Sequence, residues 1–197
     1  MPRLPNPDVR KRLIEAGIRL FLRQGFNGTG VQEITSAANI PKGSFYAYFD
    51  TKEAFSIAVC EEYWGRVELR LGWILKDAKH KPLDRIARFF KALTDEQVKN
   101  SYAFGCLIGN LSLEMASAST EVRSKLADIF ERWEVPIVAC LREAQTAHDL
   151  SAENDLREIA GSIIESWEGA AMRAKVEQRR RPYRRFEAVV LPGILRA

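Results

Sequence analysis

The chain has 197 residues, of which 46% are hydrophobic, and this is enough material for one or two domains with an apolar core. It contains no apolar run of about 18 residues and begins with the charged segment MPRLPNPDVRKR, so we expect a cytoplasmic protein without a membrane partner. Three widely spaced cysteines and two histidines argue against a disulfide framework or a metal site, and we expect no cofactor.

The positive charge is concentrated near the N-terminus. Residues 1–52 hold eight Lys and Arg residues against four Asp and Glu residues, whereas the rest of the chain is balanced, and the whole chain has a net charge of +4. An excess of positive charge on one segment favours capture of a polyanion such as DNA.

The first predicted helix runs from Arg10 to Gln24, with Gly25 as its C-cap. A second, short helix covers residues 32–38 and has Thr29 or Gly30 as its N-cap. The turn Asn39-Ile40-Pro41 ends this helix, because Asn tolerates a left-handed backbone and the residue before Pro is biased away from the α region.

A third short helix, Lys42 to Tyr48, is polar and aromatic on one side, and we expect Phe45 and Phe49 to face inward. Two short helices joined by a tight turn form a helix-turn-helix, whose second helix can enter the major groove of DNA. The candidate DNA contacts are side chains that can donate hydrogen bonds to phosphates or base edges, together with a glycine that allows close backbone approach: Thr29, Gln32, Lys42, Gly43, Ser44, Tyr46, Tyr48 and Lys52. A helical hairpin with an exposed tyrosine pair is the alternative interpretation of the spacing.

The remainder of the chain is also predicted to be helical, which makes the fold all-α with about nine helices. Pro136 is expected to kink a helix rather than end it, Ser151 is the expected cap of the next one, and Pro192-Gly193 is expected to close the last one. The helices are predicted at about 51–78, 83–98, 105–116, 120–147, 153–178 and 182–191.

The segment from Thr29 to Glu53 resembles the DNA-binding domain of the TetR family of transcriptional repressors. The family pattern K-G-[ST]-[FL]-Y-x-[YH]-F-x-[ST]-K-E matches the sequence KGSFYAYFDTKE, although Asn39-Ile40-Pro41 replaces the commoner Gly-Val-Ser turn. The resemblance implies a three-helix head at residues 1–50 and a larger effector-binding and dimerisation domain at residues 51–197. It also implies that the last two long helices pair with those of a second copy, so that a homodimer binds a palindromic double-stranded operator.

The effector site is less clearly marked. Cys106 is predicted in the first turn of a helix, where a thiol's pKa is lowered, and the GCL sequence resembles the branch of the family that senses electrophiles or oxidants through a thiol. The other candidates are the aromatic residues of the larger domain and a cation that could act on the thiol: Phe104, Trp64, Trp133, Trp167 and Lys175. An inert buried cysteine and an ordinary aromatic core are the alternatives.

The sequence therefore predicts a dimeric repressor that a small molecule, or modification of Cys106, releases from its operator. An enzyme is disfavoured because no nucleophile–base pair, metal cluster or glycine-rich phosphate loop is evident. A helical scaffold without DNA affinity, and an activator that uses the same head, stay open.

Overall fold

The computed structural model describes residues 6–196, which form nine α-helices, as the sequence predicts. Their bounds are α1 Pro7–Gln24, α2 Val31–Ala37, α3 Lys52–Leu71, α4 Pro82–Lys99, α5 Leu107–Met115, α6 Thr120–Thr146, α7 Leu156–Glu177, α8 Arg181–Arg185 and α9 Leu191–Ile194. Two 3-10 helices, Lys42–Ala47 and Gly72–Lys76, and a π-helical segment, Phe186–Val190, complete the order.

The ends of several helices follow from local side-chain chemistry. Gly25 ends α1 with a left-handed φ of 79°, as predicted. The prediction that Ser151 caps the helix at about 153–178 is wrong, because this helix, α7, begins at Leu156. Its cap is Asp155, whose carboxylate accepts the backbone N–H groups of Arg157 and Glu158. Both residue types can cap a helix, but Asp155 directly precedes the apolar face.

Two prolines inside helices have different outcomes. Pro136 lies within α6, which continues through it as predicted. The prediction that Pro192-Gly193 closes the last helix is wrong, since helical structure continues to Ile194. The N–H of Leu191 bonds to the carbonyl of Phe186, five residues back, and this wider turn lets Pro192 take an early position of α9, where no N–H is needed.

The described residues pack as two units. One contains residues 6–65 and 107–129, and the other contains residues 66–106 and 130–196. The predicted domain boundary after residue 50 stays a prediction; the packing groups α5 and the first part of α6 with the helix-turn-helix.

The core of the first unit is aromatic. The ring of Phe55 lies 5.8 Å from that of Phe21, 5.2 Å from that of Phe45 and 4.9 Å from that of Phe49, measured between centroids. Gly17 admits this packing, because a Cβ there would stand 2.4 Å from the Phe55 ring. Burial of each such ring contributes roughly 2–3 kcal/mol, so the short helices are held by tertiary packing rather than by their own propensity.

The second unit is centred on Phe90 of α4. Its ring lies 6.2 Å from the rings of both Trp133 and Trp167 and 5.4 Å from that of Phe186. The indole N–H of Trp167 donates to the Thr94 hydroxyl at 3.2 Å, so this buried polar group is satisfied.

Among residues 6–196, no helix is both long enough and apolar enough to cross a membrane.

Candidate functional site

The turn after α2 has the geometry of a Schellman motif. Asn39 adopts a left-handed backbone with φ 54°, as its residue type predicts, and its N–H bonds to the carbonyl of Ser36. The N–H of Ile40 bonds to the carbonyl of Thr35, and the buried Ile40 side chain anchors the turn. The turn therefore fixes the direction in which the next helix leaves.

That next helix is a 3-10 helix, Lys42–Ala47, rather than the α-helix that the spacing suggested. Phe45 is fully buried and Phe49 is 6% exposed, so both face inward as predicted. With three residues per turn, this inward anchor leaves Tyr46 on the outside, where its side chain is 55% exposed.

The outer surface of this segment is polar and sterically open. Gln32, Lys42 and Gly43 are exposed, and Ser44 is half-buried. A Cβ added to Gly43 would meet no atom within 4 Å, so the backbone there is free to approach a large partner. We name this surface, formed by Gln32, Lys42, Gly43, Ser44 and Tyr46, the recognition surface.

Three of the predicted DNA contacts have structural partners within the protein. Thr29 is 1% exposed, and its hydroxyl donates a hydrogen bond to the carbonyl of Gly25 at 2.7 Å. The Lys52 ammonium donates to the carbonyls of Phe26 and Thr29, each at 2.9 Å, and lies 4.0 Å from the centre of the Phe26 ring. The Tyr48 hydroxyl accepts the backbone N–H of Asn6 at 2.8 Å.

These bonds give Thr29 and Lys52 a role in holding the α1–α2 segment in place, and they give Tyr48 a role at the start of α1. An ammonium has three N–H donors, so Lys52 retains one for a phosphate, and a hydroxyl that accepts one bond can still donate another, as Tyr48 would. Thr29 is turned inward and has its hydroxyl proton engaged, so any contact it makes with DNA would come from its backbone.

Glu114 of α5 is a residue that the sequence did not single out. Its carboxylate accepts the backbone N–H of Asn27 at 2.8 Å and that of Phe26 at 3.2 Å, in the segment that links α1 to α2. Hydrogen bonds from two N–H groups to a carboxylate are favourable, and these bonds fix α5 to the α1–α2 segment. Lys52 binds the same segment through the carbonyl of Phe26. The lone acidic residue in the otherwise uncharged sequence LIGNLSLEM is the signal that could have identified it.

Cys106 is 4% exposed and lies immediately before α5, not within its first turn. Its thiol donates a hydrogen bond to the carboxyl group of Glu168 on α7. Burial raises the pKa of Glu168 to about 7, and the bond from the thiol opposes that shift. The partner of the thiol is therefore an acid, whereas the sequence suggested a cation.

Lys175, the cation suggested from the sequence, lies two helical turns beyond Glu168 on the same helix, about 10 Å along its axis. It is half-buried in the last turn of α7, and its carbonyl accepts the side-chain amide of Gln178 at 2.6 Å. Glu168 could have been noticed from its setting, since it follows Trp167 and precedes the uncharged residues Gly169, Ala170 and Ala171.

The other two cysteines have environments that disfavour reaction. Burial, followed by the charge of Glu61, raises the pKa of Cys60 to about 12. Burial also raises the pKa of Cys140, whose thiol donates to the carbonyl of Leu75 at 3.1 Å. Neither thiol has a hydrogen bond to a proton-accepting side chain in these contacts.

The aromatic candidates for an effector pocket are mostly core. Trp133 and Trp167 are each 1% exposed, and their rings meet edge to face at 5.8 Å. Trp64 is also buried, in α3 of the first unit, and Phe104 is half-buried two residues before Cys106. A surface groove of about 540 Å³ lies instead between α6 and the start of α7, and its lining includes Val138, Arg142 and Leu156 but none of the candidate effector residues.

Comparison with known proteins places both parts of the chain in one family. Residues 13–59 match the family described as bacterial regulatory proteins, tetR family, and residues 82–190 match the tetracyclin repressor-like C-terminal domain.

Relatives of known name match over nearly the whole length. The HTH-type transcriptional repressor DhaR of Mycobacterium sp. (strain GP1) is 37% identical over 192 residues, which cover 98% of this chain and 95% of DhaR. The crystal structure of a regulatory protein TetR from Rhodobacter sphaeroides has a TM-score of 0.87 and 34% identity, over 93% of this chain and 97% of that one. The reduced form of Escherichia coli NemR has a TM-score of 0.82 and 29% identity, over 95% and 97% of the two chains.

Proposed function

Because this chain belongs to the TetR family of bacterial regulatory proteins, we propose that it is a cytoplasmic, homodimeric repressor of transcription that binds a palindromic operator. The observation that carries the proposal is the recognition surface: an aromatic anchor at Phe45 turns Tyr46 and Lys42 outward on the second element of a helix-turn-helix. The relative DhaR, 37% identical, is named as a repressor.

The recognition surface, together with Tyr48 and Lys52, supplies two kinds of contact. Lys42, Ser44 and the remaining N–H of Lys52 are suited to phosphate oxygens, which position the head on the duplex. Gln32, Tyr46 and Tyr48 carry donors and acceptors that can reach base edges in the major groove. Gly43 lies on an open part of this surface and has no side chain, so the backbone there can approach the DNA closely.

The C-terminal helices supply the dimer contact in this proposal. Met172 and Val176 of α7 are 60% and 80% exposed, and Val189 of the segment that follows α8 is 65% exposed. Exposed large apolar side chains on α7 and on the Phe186–Val190 segment favour association with another protein surface. A two-fold dimer would give two heads, as a palindromic operator requires.

Release from the operator begins at Cys106 in this proposal. Alkylation or oxidation enlarges a buried thiol in a tightly packed site, which must then rearrange. Cys106 directly precedes α5 in the chain, and Glu114 of α5 bonds to the α1–α2 segment of the head, so a shift of α5 would reach the helix-turn-helix. The relative NemR of Escherichia coli has a crystal structure of its reduced form, which supports a redox-dependent state for that relative.

The coupling free energy needed is small, because each 1.4 kcal/mol changes operator affinity about tenfold. A small apolar effector is the alternative trigger. It would have to separate packed rings such as those of Trp133 and Trp167, or open the packing around Phe104, around Trp64 or around Lys175 individually.

The experiment is a gel-shift titration with the intergenic DNA beside the protein's own gene, on wild type and Tyr46→Ala. Sedimentation and circular dichroism report the dimer and the helix content in parallel. A repressor binds specifically, and Tyr46→Ala loses this binding while dimer and helix content persist. A dimer without specific binding at its own intergenic region or elsewhere in the genome would instead be a scaffold, and the proposal would be wrong.

A further inference from the structure

The carboxyl group of Glu168 is buried next to a thiol and is incompletely satisfied. Its Oε1 is closed to solvent and has no hydrogen-bond partner among the described residues, while the Cys106 thiol donates to the same carboxyl group. A buried carboxyl group with a spare acceptor oxygen costs free energy, and such a group in a native structure needs an explanation.

Two titratable groups from other elements interact with this carboxyl. They are the Cys106 thiol, in the segment between α4 and α5, and the phenol of Tyr183 on α8. Tyr183 is 1% exposed, and burial, followed by the charges of Cys106 and Glu168, raises its pKa. Tyr183 therefore stays neutral, so the site holds one acid that can ionise near neutral pH beside one thiol.

We infer that Glu168 is the base that takes the proton of Cys106 when an electrophile reacts with the sulfur. This inference rests on the proposed role of Cys106 and names the residue that makes its chemistry possible. The physical reason is charge conservation: when the proton moves from sulfur to carboxylate, the pair keeps a single negative charge. A thiolate therefore forms without adding a second charge to a buried site.

The reaction with a conjugated carbonyl compound balances within this pair. The S–H bond breaks and its proton passes to the Glu168 carboxylate, while the sulfur forms a bond to the β-carbon of the acceptor. The C=C π electrons become an enolate, which takes the proton back from Glu168 at its α-carbon. The product is a thioether, and the carboxylate is regenerated.

The backbone before Cys106 offers a route for the reagent. Ser101 and Tyr102 are consecutive non-glycine residues with left-handed φ angles of 52° and 61°. Such conformations cost free energy, so this segment opens at a smaller net cost than a relaxed one would. Opening it would uncover the sulfur, because Cys106 lies in this segment, and with it the Glu168 carboxyl group that accepts the thiol's hydrogen bond.

The test measures the rate at which N-ethylmaleimide adds to Cys106, by peptide mass spectrometry on the full-length protein between pH 5.5 and 8.5. In wild type, the rate should rise with pH and level off above about pH 7, as the Glu168 carboxylate forms. Glu168→Gln should react about 100-fold more slowly at pH 8 and lose this inflection. Glu165→Gln changes an exposed carboxylate on the same helix and should match wild type. Glu168→Asp, which keeps the acid, should retain the inflection.

Reaction of Glu168→Gln within about twofold of the wild-type rate and with the same pH profile would overturn the inference. If that variant did not fold by circular dichroism, the wild-type profile would decide, since a rate without an inflection between pH 6 and 8 also contradicts it. Operator binding is measured separately. If Glu168→Gln is alkylated slowly, the role of Glu168 as the base is supported. If operator affinity is nevertheless the same with and without alkylated Cys106, the proposed switch is wrong.

Discussion

Glu114 and Gly25 approach each other so closely that a Cβ on Gly25 would stand 2.3 Å from Oε1 of Glu114. Glycine is needed at this position for two reasons: a Cβ would collide with the carboxylate, and the φ of 79° lies in the left-handed region. The approach lets the Glu114 carboxylate bond to the backbone N–H groups of Phe26 and Asn27, so α5 closes the end of α1 and supports the helix-turn-helix.

Replacing Gly25 with Ala should lower the free energy of unfolding by about 2 kcal/mol or more, because the new methyl group meets the carboxylate and the backbone is strained. Urea denaturation followed by circular dichroism measures this change. Gly65→Ala is the matched control, since Gly65 lies inside α3 with no atom within 4 Å of a new Cβ. That variant should be as stable as wild type or up to about 1 kcal/mol more stable. Equal losses in the two variants would contradict the role of the contact.

Replacing Glu114 with Ala should lower the free energy of unfolding by about 1 kcal/mol, because two backbone N–H groups lose their acceptor. The loss is small because Glu114 is only half-buried and water can replace part of the bonding. Leu113→Ala, at a neighbouring side chain that is 83% exposed, should change stability by less than about 0.5 kcal/mol. In the double variant Gly25→Ala/Glu114→Ala the steric conflict disappears, so the combined loss should be smaller than the sum of the single losses. Additive losses would show that the two positions are independent.

Replacing Lys42 with Ala should weaken operator binding and reduce its dependence on salt. If each head of a dimer loses one phosphate contact, the slope of log K against log salt concentration falls by about two. Fluorescence anisotropy at several salt concentrations measures both quantities. Lys76→Ala removes another exposed lysine, in the 3-10 helix after α3, and it should leave the slope unchanged. Equal slopes for wild type and Lys42→Ala would exclude a phosphate contact at this residue.

Glu168 should make folding stability depend on pH. Its pKa is raised to about 7 in the folded protein from an ordinary value of 4.5, so the folded state binds more protons between these pH values. The contribution of this residue is therefore most favourable below about pH 4.5, declines as pH rises toward 7 and is flat above. Glu168→Gln should be more stable than wild type by about 2 kcal/mol at pH 8 and should lose this decline, as measured by denaturation at pH 5, 6, 7 and 8. Glu165→Gln serves as the control, and a Glu168→Gln curve parallel to wild type would contradict the assignment.

The sequence was a good guide wherever one local rule decided the outcome. Helical periodicity predicted the all-α fold and the approximate positions of α1 to α7, Asn39 predicted the left-handed turn, and the spacing of Phe45 and Phe49 predicted which side of the short helix is buried. It failed where two local solutions compete, as with Asp155 against Ser151 as a cap, or where a π-helical turn accommodates Pro192.

The sequence alone could not predict contacts between residues that are far apart in the chain. The bond from the Cys106 thiol to Glu168 joins residues 62 positions apart, and that from Asn27 to Glu114 joins residues 87 apart. No periodicity relates such pairs. For the same reason, the sequence could not predict that the Thr29 hydroxyl donates to the carbonyl of Gly25, or that the Lys52 ammonium donates to the carbonyl of Phe26.

The central claim is that a repressor of this family releases its operator when Cys106 is modified. The most direct measurement is a gel shift on the intergenic DNA beside the protein's own gene, with and without N-ethylmaleimide, using wild type and Cys106→Ser. We predict specific binding by both proteins and loss of binding on treatment in wild type alone. Specific binding by wild type that persists after Cys106 is fully alkylated would contradict the thiol switch and leave a repressor controlled by a small apolar ligand.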